Sequence, residues 1–222
     1  LDEFPNIIWV RLHTDEGLVG LGETFMGAQS VEAYLHEWVA PKLLGQDPLA
    51  IESRIRDITG YLGWRGSGVE TRGNSAVDIA LWDIFGKVTG QPIGRFFGGR
   101  LREKVMPYAS LLMDEPKIMN ANLTELREQG FKAFKIGWGT FGRIDTANDE
   151  LLVKSARKAI GDDCFLAVDA GGSDAYWRGN LRWAINASKM LADYNVGWFE
   201  EALRPDDLAD FIELRKQSPV PI

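Results

Sequence analysis

The sequence predicts an α+β domain over residues 1–102, followed over 103–222 by an α/β segment that reads as the first half of a (β/α) barrel. Three observations predict it. Two apolar runs rich in β-branched residues, IIWVRLHT and LVGLGETF, flank a short turn containing Gly17, and helical stretches follow them. From about Lys104 the texture changes, and short apolar strands alternate with helices. No Gly-x-Gly-x-x-Gly follows the first of those strands, which favours a barrel over a dinucleotide-binding sheet.

The elements follow in order. After the hairpin, SVEAYLHEWVAPKLLG predicts a helix with Ser30 as N-cap and Glu32 in its first turn. PLAIESRIRDITGYL carries apolar residues near helical spacing, and LGWRGSGVETRG reads as a loop. SAVDIALWDIFGKVTG places Val77, Leu81, Ile84 and Val88 on one stripe, with Gly90 as C-cap. The second half then reads as strand KVMPYAS, helix PKIMNANLTELREQG, strand FKAFKIG, helix DTANDELLVKSARKAIG, strand CFLAVDA, helix LRWAINASKMLADY, strand VGWFEE and helix DDLADFIELRKQS, with PVPI opening a fifth strand. A closed barrel takes about eight such units. Four parallel strands leave an open edge and an uncovered face, so the chain is expected to be part of a longer one.

Composition narrows the function. Apolar residues make up 45% and charged residues 26% of the 222 positions, as in ordinary globular proteins. A net charge of −7 argues against nucleic-acid and anionic-membrane surfaces. No apolar run is long enough for a membrane-spanning helix, and LDEFPNIIWV is not a signal peptide. Cys164 is the single cysteine, which excludes an internal disulfide and makes a reducing cytoplasm the expected location.

The chemistry-bearing residues stand at strand ends. Catalytic groups in such barrels come from the carboxyl ends of several strands. Those ends here carry Ser110, Lys135, Asp169 and the pair Glu200–Glu201. Lys135 and Asp169 are 34 residues apart, Asp169 and Glu200 31, so each is expected at the same place in successive units. A lysine and two carboxylates facing one mouth point to a divalent-metal site, Mg²⁺ by preference for hard oxygen ligands, with a base beside it. Alternation puts Ala133, Lys135 and Gly137 on one side and Lys132 on the other. It also forbids Glu200 and Glu201 from both facing the mouth, without saying which one does. Asp206 and Asp207 read as N-cap and first-turn charges of the next helix, and Cys164 as a small core residue. His13 and His36 lie on elements of the first domain, and the tryptophans read mainly as core, except Trp64 and Trp138 in loops.

The hairpin ending GLGETF, the helix SAVDIALWDIFGKVTGQPIGRFFGG and the strands GFKAFKIG, LAVDA and WFEEAL together resemble the enolase superfamily, in its mandelate racemase/muconate lactonizing branch. The resemblance covers essentially the whole chain. It implies an α+β capping domain on a modified (β/α) TIM-type barrel, a Lys or His base with one or two Mg²⁺ ions, and a homo-oligomer. Position by position, it makes Asp169 and Glu200 metal ligands, with a third carboxylate expected beyond residue 222, and Glu201 a neighbour supporting them. Lys135 matches the first lysine of a Lys-x-Lys motif, but the second, the usual base, falls on Gly137. Either Lys135 acts alone, or the base is a later histidine and Lys135 is its electrostatic partner. Ser110 matches a hydroxyl near the substrate carboxylate. Thr24 and Phe25 match a capping-domain loop over the substrate, with Arg65 and Trp64 nearby, and Trp138 and Arg143 are further pocket residues.

The implied step is removal of a proton alpha to a carboxylate, giving a metal-stabilised enediolate. Loss of a β-hydroxyl then yields a 2-keto-3-deoxy acid. EEAL followed by PDD resembles the acid-sugar dehydratases of this branch, and the missing second lysine suits a one-base elimination, so the resemblance implies a lyase that dehydrates sugar acids, aldonates or aldarates. Racemase, epimerase or cycloisomerase chemistry is the alternative, and a non-catalytic barrel is the alternative of another class.

Overall fold

The computed structural model describes residues 6–60 and 68–222. The chain divides into two compact units, Leu1–Glu103 and Lys104–Ile222, and each is taken by itself below.

In the first unit, β1 (Ile7–His13) and β2 (Val19–Phe25) pair antiparallel from Ile7↔Phe25 to His13↔Val19. The Thr14–Leu18 turn closes with Gly17 at φ 84° and Thr14 bonded to Leu18 through both backbone and hydroxyl. Helices α1 (Ala28–Tyr34), α2 (Ala40–Leu43), α3 (Ile51–Thr59) and α4 (Val69–Thr89) follow, with one wide turn, Leu35–Val39, between α1 and α2. Gly20 and Gly22 let β2 lie directly on α4: a β-carbon at either would run into the backbone of Ala80 or Ala76. Val77 and Leu81 then form a core with Val39, Ile51 and Ile58.

Two expectations need correction here. The first helix starts at Ala28 after Gly27, so Ser30 lies inside it and is not its N-cap. Gly27 takes φ 67°, which places the helix start three residues earlier than the serine signal implied. Val88 is 47% exposed, although Val77, Leu81 and Ile84 are buried. The hairpin that covers the stripe ends near Val19, whose carbonyl is met by Lys87, so the last turn of α4 runs past it. Gly90 does cap α4, in the left-handed conformation.

In the second unit, β3 (Ala109–Leu112), β4 (Ala133–Gly137), β5 (Phe165–Asp169) and β6 (Val196–Glu200) form a parallel sheet in chain order. Helices α5 (Pro116–Glu128), α6 (Thr146–Ile160), α7 (Leu181–Asp193) and α8 (Leu208–Gln217) alternate with them. Asp145 caps α6 by accepting from Asn148 N, and Asn180 caps α7 by accepting from Trp183 N. Phe134, Ile136, Leu166, Val168 and Phe199 are fully buried in the core shared with these helices. Their strand neighbours face the other side of the sheet, which carries the candidate residues. The stretch before Ala109 is not strand, because Pro107 has no N–H to give a ladder. PVPI forms no assigned strand, but Pro221 already accepts from Phe199 N on the free edge of β6. Asp207 stands at the N-cap of α8 without a side-chain cap bond. Among the described residues, no helix is long and apolar enough to cross a membrane.

Candidate active site

Register places the three central residues. Gly137 pairs with Asp169, and Asp169 with Glu200, so the two carboxylates stand level at the ends of β5 and β6. Lys135 pairs instead with Ala167, one same-face step lower, about 6.6 Å along the strand. It is therefore not at the equivalent position that the sequence spacing implied. Its four-carbon side chain spans the step. Nζ reaches Asp169 Oδ2 at 3.1 Å and Glu200 Oε1 at 2.9 Å.

The remaining oxygens are held as well. Asp169 Oδ1 accepts from Gly171 N at 2.9 Å, and Glu200 Oε2 accepts from Trp198 Nε1 at 3.0 Å. Each carboxylate thus turns one oxygen to a shared cation while a neutral N–H fixes the other. Burial alone would push the Lys135 ammonium toward its neutral form. Its bonds to Glu200 and Asp169 outweigh burial and raise its pKa above the ordinary lysine value. Burial likewise works against the Glu200 charge, but the bonds from Lys135 and Trp198 bring its pKa below the ordinary carboxylate value.

Glu200 faces Lys135, and a bulge decides this. Leu166 pairs with Val196 and Val168 with Phe199, so β6 advances three residues where β5 advances two. Without the extra residue, alternation from buried Val196 would point Glu200 into the helix-covered core. Glu201 follows at φ 49° and turns away from Lys135. It accepts from Ser173 Oγ at 2.7 Å, and its carbonyl accepts from Gly172 N, so it braces the loop that begins at Asp169.

The other candidates fall differently. Ser110 is the second residue of β3, not a residue beyond its end, and its register partner is Lys135, so the hydroxyl stands on the same face. Trp138, at φ 58°, donates its backbone N–H to Asp169 O and lays its ring over Gly171, where no β-carbon interferes. Arg143 is not a free pocket residue: it donates to Phe141 O and Ala170 O, pairs with Asp174 at 3.0 Å and lies 5.0 Å from the Trp177 ring. Its planar fork is used to clip the β4–α6 and β5–α7 loops together. Thr24 and Phe25 are the last residues of β2, not loop residues, and Arg72 bonds the Phe25 carbonyl and approaches its ring. Arg65 and Trp64 lie outside the described residues. Lys132 is exposed beside Asp163, and Cys164 is buried in the core.

Sequence reading missed Trp198. Its signal was present, two residues before Glu200 on one strand, but without the bulge the aromatic ring reads as core.

Asp169 and Glu200 supply hard carboxylate oxygens converging on one cation, which suits Mg²⁺. Among the described residues no group of three or more His, Cys, Asp and Glu is placed to hold a metal ion. A cavity of about 1090 Å³ lies elsewhere, in the first unit, between β1 and residues such as Leu35, Val39 and Leu43, and holds none of these groups.

Residues 5–98 match the mandelate racemase/muconate lactonizing enzyme N-terminal domain, and residues 119–222 match the enolase C-terminal domain-like family. The chain belongs to the enolase superfamily, in its mandelate racemase/muconate lactonizing branch. A D-galactonate dehydratase of Klebsiella pneumoniae is 30% identical over 98% of this chain and 57% of its own length. A solved enolase of the mandelate racemase subgroup from Agrobacterium tumefaciens is 40% identical, with a TM-score of 0.81 over 99% of this chain and 60% of its own. A racemase from Streptomyces coelicolor solved with bound magnesium is 30% identical, with a TM-score of 0.80 over 96% of this chain and 59% of its own. The chain thus spans less than two thirds of each of these relatives.

Proposed function

We propose that the full-length protein is a Mg²⁺-dependent dehydratase of small sugar acids, which removes the proton alpha to a carboxylate and eliminates the β-hydroxyl to leave a 2-keto-3-deoxy acid. The observation that carries this reading is the Lys135 ammonium shared by Asp169 and Glu200 at 3.1 and 2.9 Å. Mg²⁺ held by those two carboxylates would supply positive charge against the substrate carboxylate as its α-proton leaves.

The chain's own residues have separate tasks in this scheme. Lys135 adds a second positive charge beside the same carboxylate. Lys135 stands at the first position of the lysine motif, one same-face step below the carboxylates, so we assign it the electrostatic role and the base to another group. Ser110, level with Lys135 on the same face, would hydrogen-bond a substrate oxygen. Trp138 walls the mouth beside Asp169, where its indole can exclude water and meet the sugar carbons.

Gly137 supports elimination over a two-base reaction, because no side chain occupies the second position of the lysine motif. The racemase relative keeps a second reading open, proton return on the opposite face. The two separate in D₂O, with the protein, Mg²⁺ and a panel of sugar acids. Deuterium incorporation with keto-acid formation is expected. Incorporation without keto acid would replace dehydration by racemisation, and no incorporation with any acid would leave a binding protein.

A further inference from the structure

The bulge that turns Glu200 toward Lys135 also brings Trp198 to the same face. The indole does not sit loosely there. The Phe165 ring lies 5.2 Å away at 44°, and the Tyr108 ring meets it edge-on at 5.9 Å and 73°. Gly197 makes the Phe165 contact possible, since a β-carbon there would overlap that ring. Tyr108 also lies 5.8 Å from the Lys135 ammonium. Tyr108, Trp198, Glu200 and Lys135 therefore close a circuit of contacts from the residue before β3 to β4 and β6.

We propose that Trp198 is a positioning residue, which holds the Glu200 carboxylate in the orientation that receives the cation, with Tyr108 and Phe165 holding the indole in turn. This rests on the reading of Asp169 and Glu200 as cation ligands. A glutamate has three side-chain torsions, and a free one samples many carboxylate orientations. Here Oε1 is drawn to Lys135 and Oε2 is tied to Trp198 Nε1. If the carboxylate held a divalent ion in place of the ammonium, the indole bond would remain to fix its plane. Such outer hydrogen bonds orient a ligand and reduce the entropy lost when the ion binds. The N–H is neutral, so it orients the carboxylate without competing for the site as a second cation would. A bulge next to a site, re-aiming two side chains at once, is the device the backbone uses here.

The test uses the full-length protein and Mn²⁺ as the probe ion, titrated by calorimetry. Trp198→Phe keeps an aromatic ring against Tyr108 and Phe165 and removes only the N–H donor. We expect it to weaken Mn²⁺ binding about 10-fold, with the metal-free melting temperature nearly unchanged. A purely structural role would lower the melting temperature and leave the affinity alone. Wild-type binding with equal affinity in Trp198→Phe would overturn the positioning role while leaving the cation site standing. Absence of Mn²⁺ binding by the wild type would overturn both. If Trp198→Phe fails to fold, Tyr108→Leu at a part-exposed position tests the same bracket. A smaller loss of affinity is expected there, and unchanged affinity would overturn the proposal.

Discussion

Gly137 and Asp169 are register partners so close that a β-carbon on Gly137 would meet the Asp169 carbonyl oxygen and lie 2.7 Å from its β-carbon. The obstructing atoms include backbone, which cannot swing aside as the end of a flexible side chain can. Gly137 is thus a packing requirement of the β4–β5 pair as well as a departure from a lysine motif. Gly137→Ala should destabilise the fold by about 1–3 kcal/mol, measured by urea unfolding. Gly137→Lys should not restore a base, since the strand must shift before the side chain can enter. A Gly137→Ala protein as stable as the wild type would contradict the close approach.

Asp169→Asn keeps an oxygen for the Gly171 N–H but loses the charge that Lys135 Nζ meets. The fold should survive, with unchanged far-ultraviolet dichroism. Mg²⁺ affinity should fall by at least the ~10-fold that loss of an outer hydrogen-bond partner costs. Calorimetric affinity equal to the wild type would remove Asp169 from the ligand set.

The Glu200–Lys135 pair predicts how metal-free stability varies with pH. The folded-state pKa of Glu200 is depressed below the ordinary glutamate value of 4.5, so its contribution is present above that value and lost as pH falls through the folded value. The Lys135 pKa is raised above 10.5, so its contribution is present below 10.5 and lost as pH rises through the folded value. Glu200→Gln should flatten the acid limb of the melting profile and leave the alkaline limb shallower. An acid limb identical to the wild type would show that the pair contributes nothing to folding.

Arg157 is buried on α6 and donates to four carbonyls, those of Gly161, Cys164, Tyr194 and Asn195. Among the described residues no carboxylate forms a close ion pair with it, and Asp162 acts on it only through its charge. The guanidinium satisfies loop carbonyls before β5 and β6, and a lysine ammonium has neither the reach in several directions nor the planar fork. Arg157→Lys should cost about 2–4 kcal/mol, because buried acceptors are left unmet. A loss under about half a kcal/mol would mean that water replaces the guanidinium without penalty.

Much of this molecule was legible in near-neighbour patterns. The hairpin, the alternation of strands with helices, the glycine that stops α4 and the set of Lys135, Asp169 and one member of the Glu200–Glu201 pair all follow from spacings within a few residues or from repetition between units. Such signals are local because they reflect backbone period and capping. The tertiary structure decided what depends on pairing between strands. The bulge at Gly197–Trp198 chose Glu200 over Glu201, since one added residue reverses every later side chain. Register set Lys135 a step below the carboxylates, and only its length brings the charges together. The crowding at Gly137 and the indole bond on Glu200 join residues about thirty apart or from opposite sides of a bulge. Whether a side chain fits or meets a partner there is fixed by the distance between two backbones, which no single stretch of sequence contains.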